Sequence, residues 1–108
     1  MSGLLEHIIA KGNRFRTVPT FAENWVHCAD GFKMSVLAGW GAYSIPRPLD
    51  DFEGPYLAVE VGYPSARPEP WDLWSTYAEC ESDPTGTVYG RVPVDMVRAL
   101  VALHGGEA

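Results

Sequence analysis

Aromatic and arginine side chains are concentrated in a segment whose glycines and prolines argue against a regular helix or strand. Residues 39–55 read GWGAYSIPRPLDDFEGP and contain Trp40, Tyr43 and Arg47. A flat ring can stack on a base or a peptide, and a guanidinium can donate two parallel hydrogen bonds to a phosphate. We therefore expect Trp40 or Tyr43 to stack on a base while Arg47 holds a phosphate group.

A second segment of the same kind follows further along the chain. Residues 63–67 contain Ser65 and Arg67, next to prolines that keep the backbone extended or turning. A serine hydroxyl and a guanidinium can both donate hydrogen bonds to phosphate oxygens. We predict that this segment closes one pocket with residues 40–47, so that Arg47 and Arg67 bind phosphate groups together.

The strand predicted over 87–92 adds two more polar side chains. If Val88 and Val92 face the C-terminal helix, Tyr89 and Arg91 project from the opposite face of the sheet. The same face could instead be an ordinary solvated surface or a subunit interface. The predicted ligand-binding residues are therefore Trp40, Tyr43, Arg47, Ser65, Arg67, Tyr89 and Arg91.

Standard catalytic motifs are missing from the sequence. It has no H-E-x-x-H, no P-loop, no G-x-S-x-G elbow and no dinucleotide fingerprint. His27 and Cys28 are neighbours on a predicted strand, where adjacent side chains point to opposite faces and cannot form a nucleophile–base pair. We predict a protein that is not an enzyme and has no cofactor. An enzyme of unrecognised type would need His27 or His104 beside a carboxylate in a pocket.

Residues that bind metals are also poorly placed. The histidines His7, His27 and His104 lie on separate predicted elements, and Cys28 and Cys80 form no C-x-x-C pair. One histidine on each element is more often structural than a ligand. We expect no metal site, and two thiols that are buried or half-exposed.

The composition fits one small acidic domain over residues 1–108. The formal net charge is −6, and 46% of the residues are hydrophobic. The negative charge argues against direct nucleic-acid binding and against binding to an anionic membrane. No apolar run approaches the length of a membrane span and the chain begins without a recognisable signal peptide, so we expect a cytoplasmic protein with reduced thiols.

The acidic residues support an alternative hypothesis. The stretch 50–53 lacks the ligand spacing of a calcium loop, so its carboxylates are expected to be solvated. A face of carboxylates can act as a decoy that occupies a basic groove of a partner protein. The residues of that predicted face are Asp50, Asp51, Glu53, Glu79, Glu81 and Asp83.

Hydrophobic periodicity and turn residues predict an α+β fold. Asp30 and Gly31 lie between two apolar runs as in a hairpin, and Pro93 and Gly105 mark the ends of a C-terminal helix. We predict a small antiparallel sheet of three to five strands, packed by this helix, with a short N-terminal helix. The predicted elements are a helix over 3–11, a connector over 13–24, strands over 25–28, 32–38, 56–63 and 87–92, a helical turn from 71 and a helix over 93–104.

Several short blocks of the sequence resemble, in their order, a family of small tailed-bacteriophage proteins without an established activity. The blocks are FKMSV, YSIPR, VEVGYPS, YAE, TVYGRVP and HGG, and they cover residues 31–106. Arg47, Ser65 and Tyr89 lie in these blocks and are not explained as turn residues. The resemblance implies a phage origin, and accessory phage proteins of this size are often inhibitors of bacterial defence.

These observations lead to two hypotheses about function. The first is a phage counter-defence protein of the host bacterial cytoplasm that sequesters a small phosphorylated immune signal of nucleotide type. A small domain buries a ligand better between subunits, so we expect a homo-oligomer. The alternative is an acidic inhibitor that binds a host defence protein such as a CRISPR nuclease complex.

Overall fold

Four antiparallel strands, adjacent in sequence order, form the central sheet. The structure is a computed structural model that describes residues 3–17 and 23–108. Its strands are β1 (Trp25–His27), β2 (Lys33–Leu37), β3 (Ala58–Gly62) and β4 (Val88–Pro93), and its helices are α1 (Leu4–Lys11), α2 (Trp71–Trp74), a 3-10 turn (Ser75–Tyr77) and α3 (Val94–Leu103). The predicted α+β fold class is confirmed. Part of the predicted connector, residues 18–22, lies outside the described residues.

The core lies between the sheet and the two longer helices. In β2 and its flanks, every second residue is apolar and buried: Phe32, Met34, Val36 and Ala38. The helices contribute apolar side chains at helical spacing, as expected for amphipathic helices that cover a sheet. These helix residues are Leu5, Ile8 and Ile9 of α1 and Val97, Leu100 and Val101 of α3. In the described part of the chain, no helix is long and apolar enough to cross a membrane.

The third strand is shorter than its alternating sequence predicts. Leu57 precedes β3 and donates a backbone hydrogen bond to Ile45 at 2.8 Å, with its side chain 70% exposed. Tyr63 ends the strand because its φ of 50° lies in the left-handed region, which interrupts extended backbone. The alternation therefore predicted the centre of the strand and missed both of its ends.

The fourth strand contains a β-bulge. Glu60 of β3 faces both Gly90 and Arg91, since the pairing of the two strands shifts by one residue there. An extra residue in one strand changes the face to which the following side chains point. Tyr89 and Val92, three positions apart, consequently both lie in the core.

Tyr89 is therefore a core residue. Its side chain is fully buried against Trp71 and Trp74, with ring centroids 6.4 and 5.6 Å away in edge-to-face geometry. The hydroxyl donates a hydrogen bond to the carbonyl of Pro84 at 2.6 Å, and burial raises the pKa of Tyr89 to about 12. The prediction that Tyr89 projects together with Arg91 was wrong, because the bulge separates the two side chains.

Glu107 and Ala108 connect α1 to the sheet through hydrogen bonds. The carboxylate of Glu107 accepts hydrogen bonds from the backbone N–H groups of Leu4 and Leu5 at 3.0 and 3.1 Å. It thus caps free N–H groups at the start of α1, where a negative charge is favourable. The N–H of Ala108 donates to the carbonyl of His27 in the edge strand β1 at 2.8 Å.

Candidate ligand-binding site

Two arginines converge on one tyrosine ring on the surface of the protein. The guanidinium carbon of Arg47 lies 4.7 Å from the centroid of the Tyr43 ring, and that of Arg91 lies 5.4 Å from the same centroid. Cation–π attraction holds both positive groups at the electron-rich ring. We call Tyr43, Arg47 and Arg91 the Tyr43 cluster.

Backbone contacts with two strands fix Tyr43 in place. Its N–H donates to a carboxylate oxygen of Glu60 on β3 at 3.0 Å, and its carbonyl accepts the N–H of Arg91 on β4 at 2.8 Å. Gly90 allows this close approach, since a Cβ at that position would lie 3.3 Å from the Cβ of Tyr43. The loop that carries Tyr43 is thereby attached to β3 and β4 at the bulge.

The bulge places Arg91 in an unfavourable backbone conformation. Its φ is 53°, in the left-handed region that residues other than glycine, asparagine and aspartate rarely adopt. Backbone of this kind is retained where the surrounding structure enforces it, and it is enriched at functional sites. In this protein the bulged backbone places the Arg91 guanidinium over the Tyr43 ring.

The guanidinium groups of the cluster are without a carboxylate partner in the part of the chain that the structure describes. Neither Arg47 nor Arg91 forms an ion pair with residues 3–17 or 23–108. By contrast, Arg67 is paired with Glu69 at 2.9 Å, and Arg98 is paired with two carboxylates. The cluster therefore combines two cations that form no ion pair with the described residues, in a chain of net charge −6.

A first hollow lies beside Arg47. It has a volume of about 340 Å³ and is lined by Trp40, Gly41, Arg47, Pro48 and Leu49. Trp40 is 42% exposed, so its ring is available for contact. This hollow offers one cation and one large aromatic surface, with no acidic residue among these lining residues.

A second hollow lies beside Arg91. Its volume is about 320 Å³. The residues that line it include one arginine, one exposed glutamate and two tyrosines, so the second hollow is more polar than the first and of mixed charge. The lining residues are Tyr43, Thr76, Tyr77, Ala78, Glu79, Gly90 and Arg91. Tyr43 lines this second hollow, and its ring also contacts Arg47, which lines the first hollow. The Tyr43 cluster therefore lies between the two hollows.

Ser65 does not belong to the cluster. Its hydroxyl accepts the N–H of Lys33 and its own N–H donates to the carbonyl of Lys33, both at 2.9 Å. These bonds attach the segment of Ser65 to the start of β2, beyond the last residue of β3. The loop that carries the Tyr43 cluster is attached at the other end of β3, where Ile45 pairs with Ala58. The serine therefore has a structural role at the opposite end of the strand from Ile45.

Arg67 is also engaged elsewhere. Besides its ion pair with Glu69, its guanidinium carbon lies 5.5 Å from the ring centroid of Trp71 at the start of α2. The predicted pocket shared by Arg47 and Arg67 was wrong, because the segments that carry them are attached at different ends of β3. The structure brings together Trp40, Tyr43, Arg47 and Arg91 of the predicted residues, and it leaves out Ser65, Arg67 and Tyr89.

A histidine–carboxylate pair lies away from the cluster. Nδ1 of His104 is 2.7 Å from a carboxylate oxygen of Asp30, and its ring stacks on Phe32 at a centroid distance of 4.0 Å. Hydrogen bonds from the N–H of Phe32 and from His104 lower the pKa of Asp30. The pair joins the end of α3 to the turn between β1 and β2, which gives both residues a structural role.

The cysteines and possible metal ligands add no reactive centre to the cluster. Cys28 is buried, and burial raises the pKa of its thiol, so it is a poor nucleophile at neutral pH. Cys80 is exposed and lies near the hydroxyl of Ser82. Within residues 3–17 and 23–108, no group of three or more His, Cys, Asp or Glu side chains is placed to hold a metal ion.

The acidic residues are attached to two different parts of the fold. The Asp51 carboxylate accepts hydrogen bonds from the N–H of Arg16 and the hydroxyl of Thr17, and Glu53 lies in a hollow with His7 and Lys11 of α1. The other group, 79–83, follows the 3-10 turn and is attached to β4. The sequence predicts one face of carboxylates, but these carboxylates belong to two separate groups. In the first group, Asp51 is already hydrogen-bonded to Arg16 and Thr17.

Comparison with known proteins adds no relative: no family model matches this chain, and neither a curated protein nor a solved structure is similar to it. Function must therefore be inferred from the residues of the cluster and its two hollows.

Proposed function

We propose that this chain is a non-enzymatic binding protein that sequesters a small phosphorylated ligand of nucleotide type at the Tyr43 cluster. The observation that carries this proposal is the convergence of two guanidinium groups, Arg47 and Arg91, on one tyrosine ring without a carboxylate partner among the described residues. Uncompensated guanidinium groups favour an anion, and their fork of donors matches phosphate oxygens.

The aromatic surfaces support a nucleotide rather than a free inorganic anion. The exposed ring of Trp40 lies in the same hollow as Arg47, and rings of Tyr43 and Tyr77 line the hollow of Arg91. Stacking between an aromatic side chain and a base contributes roughly 1–3 kcal/mol. A phosphate alone would leave these surfaces unused.

The chemistry of the cluster supports binding without turnover. Guanidinium groups bind anions through charge and hydrogen bonds, and they are not among the usual general acids and bases of enzymes. The resemblance to phage proteins then supports a counter-defence role in the host bacterial cytoplasm, in which an immune signal is withheld from its effector. Both hollows are shallow and open, so a second subunit that closes over them would enclose the ligand.

Calorimetric titration with cyclic dinucleotides and cyclic ADP-ribose derivatives tests the proposal. We expect binding by the wild type, with Kd raised about 10- to 100-fold in Arg47→Ala and in Arg91→Ala, since each loses a charged hydrogen bond of about 1.5–3 kcal/mol. Arg67→Ala is the matched control, because this arginine is also exposed but is paired with Glu69. The ligand recovered after denaturation should be chemically unchanged.

Two results would count against the proposal. Absence of binding below millimolar concentrations would reject it, as would binding that Arg67→Ala weakens as much as the cluster variants do. In that case the acidic-inhibitor hypothesis predicts a protein complex that weakens steeply with salt and with charge reversal in residues 50–53 or 79–83. Light scattering during size-exclusion chromatography tests the expected homo-oligomer in the same samples.

A further inference from the structure

The two hollows beside the Tyr43 cluster differ in charge. The residues that line the Arg47 hollow include no carboxylate, whereas those that line the Arg91 hollow include the exposed residue Glu79. A carboxylate repels a phosphate but accepts hydrogen bonds from neutral donors. The Arg47 hollow is thus the better place for the phosphate, and the Arg91 hollow suits a neutral group that presents both a donor and an acceptor.

We infer that the Arg91 hollow selects a base edge with an amino group beside a ring nitrogen, as adenine presents. Glu79 would accept the amino hydrogen and Arg91 would donate to the ring nitrogen, a pairing in which each protein group meets its complement. This inference rests on the proposed function, since it assigns the phosphate of the proposed ligand to Arg47 and its base to Arg91.

The neighbouring side chains fit this assignment. Tyr43 and Tyr77 are among the residues that line the same hollow, and a planar base can pack against the exposed part of a tyrosine side chain. Glu60 is the other carboxylate at the cluster, and one of its oxygens already accepts the N–H of Tyr43. Glu79 is held in the fold by its backbone N–H, which donates to Val88, so its exposed carboxylate is left to contact the ligand.

The separation of the two arginines also suits a single nucleotide. Both guanidinium carbons are measured from the same ring centroid, so they cannot be more than about 10 Å apart. One ligand can therefore contact Arg47 with its phosphate and Arg91 with its base across Tyr43. Guanine and hypoxanthine fit less well, because each places a carbonyl oxygen where adenine has its amino group, opposite the carboxylate.

Titration with three probes that differ only in the base tests this inference. AMP, IMP and GMP are titrated by calorimetry or by NMR chemical shifts into the wild type and into Glu79→Ala. We expect the wild type to bind AMP about 5- to 20-fold more tightly than IMP or GMP, the range expected for one well-formed hydrogen bond and one avoided repulsion. In Glu79→Ala the three affinities should become equal within about twofold.

Glu81→Ala is the control, because it removes an exposed carboxylate from the same segment outside the lining of the hollow. It should keep the preference for AMP. Equal binding of the three probes by the wild type, still weakened by Arg47→Ala, would overturn the base assignment and leave the proposed function standing. Loss of the preference in both glutamate variants would also overturn it, since the effect would then be one of general charge. Failure of every phosphorylated probe to bind would instead overturn the proposed function.

Discussion

Arg91 combines a strained backbone with a side chain placed at the candidate site. A left-handed conformation costs a residue with a Cβ roughly 1–2 kcal/mol, and glycine avoids most of that cost. The fold tolerates arginine there because β4 and the Tyr43 loop enforce the conformation through the bond between the N–H of Arg91 and the carbonyl of Tyr43. At this residue, stability and the proposed binding function have opposite requirements.

We predict that Arg91→Gly is about 1 kcal/mol more stable than Arg91→Ala, although both remove the guanidinium and should bind phosphorylated probes equally poorly. Urea denaturation measures the difference in the free energy of unfolding. Arg47 provides the control pair, because its backbone is not left-handed, so there glycine should be no better than alanine. An alanine variant at position 91 as stable as the glycine variant would show that the position is not strained.

Residue types and spacing predict candidate binding residues, but they do not predict which of these side chains contact one another. Trp40, Tyr43 and Arg47 share one loop, and their grouping could be predicted from spacing alone. The contact of Arg91 with Tyr43 depends on a bulge whose position is set by tertiary pairing, and no local pattern marks it. In the sequence, Glu79 is one of several acidic residues and nothing links it to Arg91. The 3-10 turn over Ser75–Tyr77 directs the chain so that both residues line the same hollow.

The elements themselves follow closely from the sequence. Asp30 and Gly31 mark the first hairpin, and Pro93 with Gly105 brackets α3, since these residues have strong local preferences. Alternation failed in β4, where one extra residue moves Tyr89 into the core. Periodicity describes a regular strand, so it does not predict the burial pattern of an irregular strand such as β4.

The buried position of Tyr89 on β4 means that a change to this residue should affect the stability of the fold and not ligand affinity. Tyr89→Phe removes the hydroxyl that donates to Pro84, and it should lower the free energy of unfolding by about 1 kcal/mol. The affinity for AMP or for a cyclic dinucleotide should stay within about twofold of the wild type, because the ring has no exposed surface. Denaturation and calorimetry on the same preparation test both parts. A large loss of affinity in a well-folded variant would return Tyr89 to the site.

Asp30 and His104 connect the sheet to α3, so the stability of the whole fold depends on pH. The pKa of Asp30 is lower in the folded state than its usual value of about 3.9, because the folded state supplies hydrogen bonds to the carboxylate. The stabilisation is therefore complete above the unfolded pKa and is lost as the pH falls through the folded pKa.

We expect the stability difference between the wild type and Asp30→Asn to shrink steadily as the pH falls below about pH 4. Denaturant titrations at a series of pH values from about 3 to about 7 measure this difference. Glu81→Gln serves as the control, because it neutralises an exposed carboxylate elsewhere on the surface. A difference that persists unchanged to about pH 3 would mean that the carboxylate does not act through its ionised form.

The Glu107 cap on α1 has a consequence for the connectivity of the fold. Its carboxylate holds the N–H groups of Leu4 and Leu5, which places the two ends of the described chain side by side. The path of the backbone is thus nearly a closed ring, and a short linker could join residues 3 and 107 without disturbing the core. Opening the ring in the exposed turn near residue 82 would create a circular permutant with the same sheet and the same Tyr43 cluster. The order of the helices and strands along the chain could then be changed without changing the surface that they form.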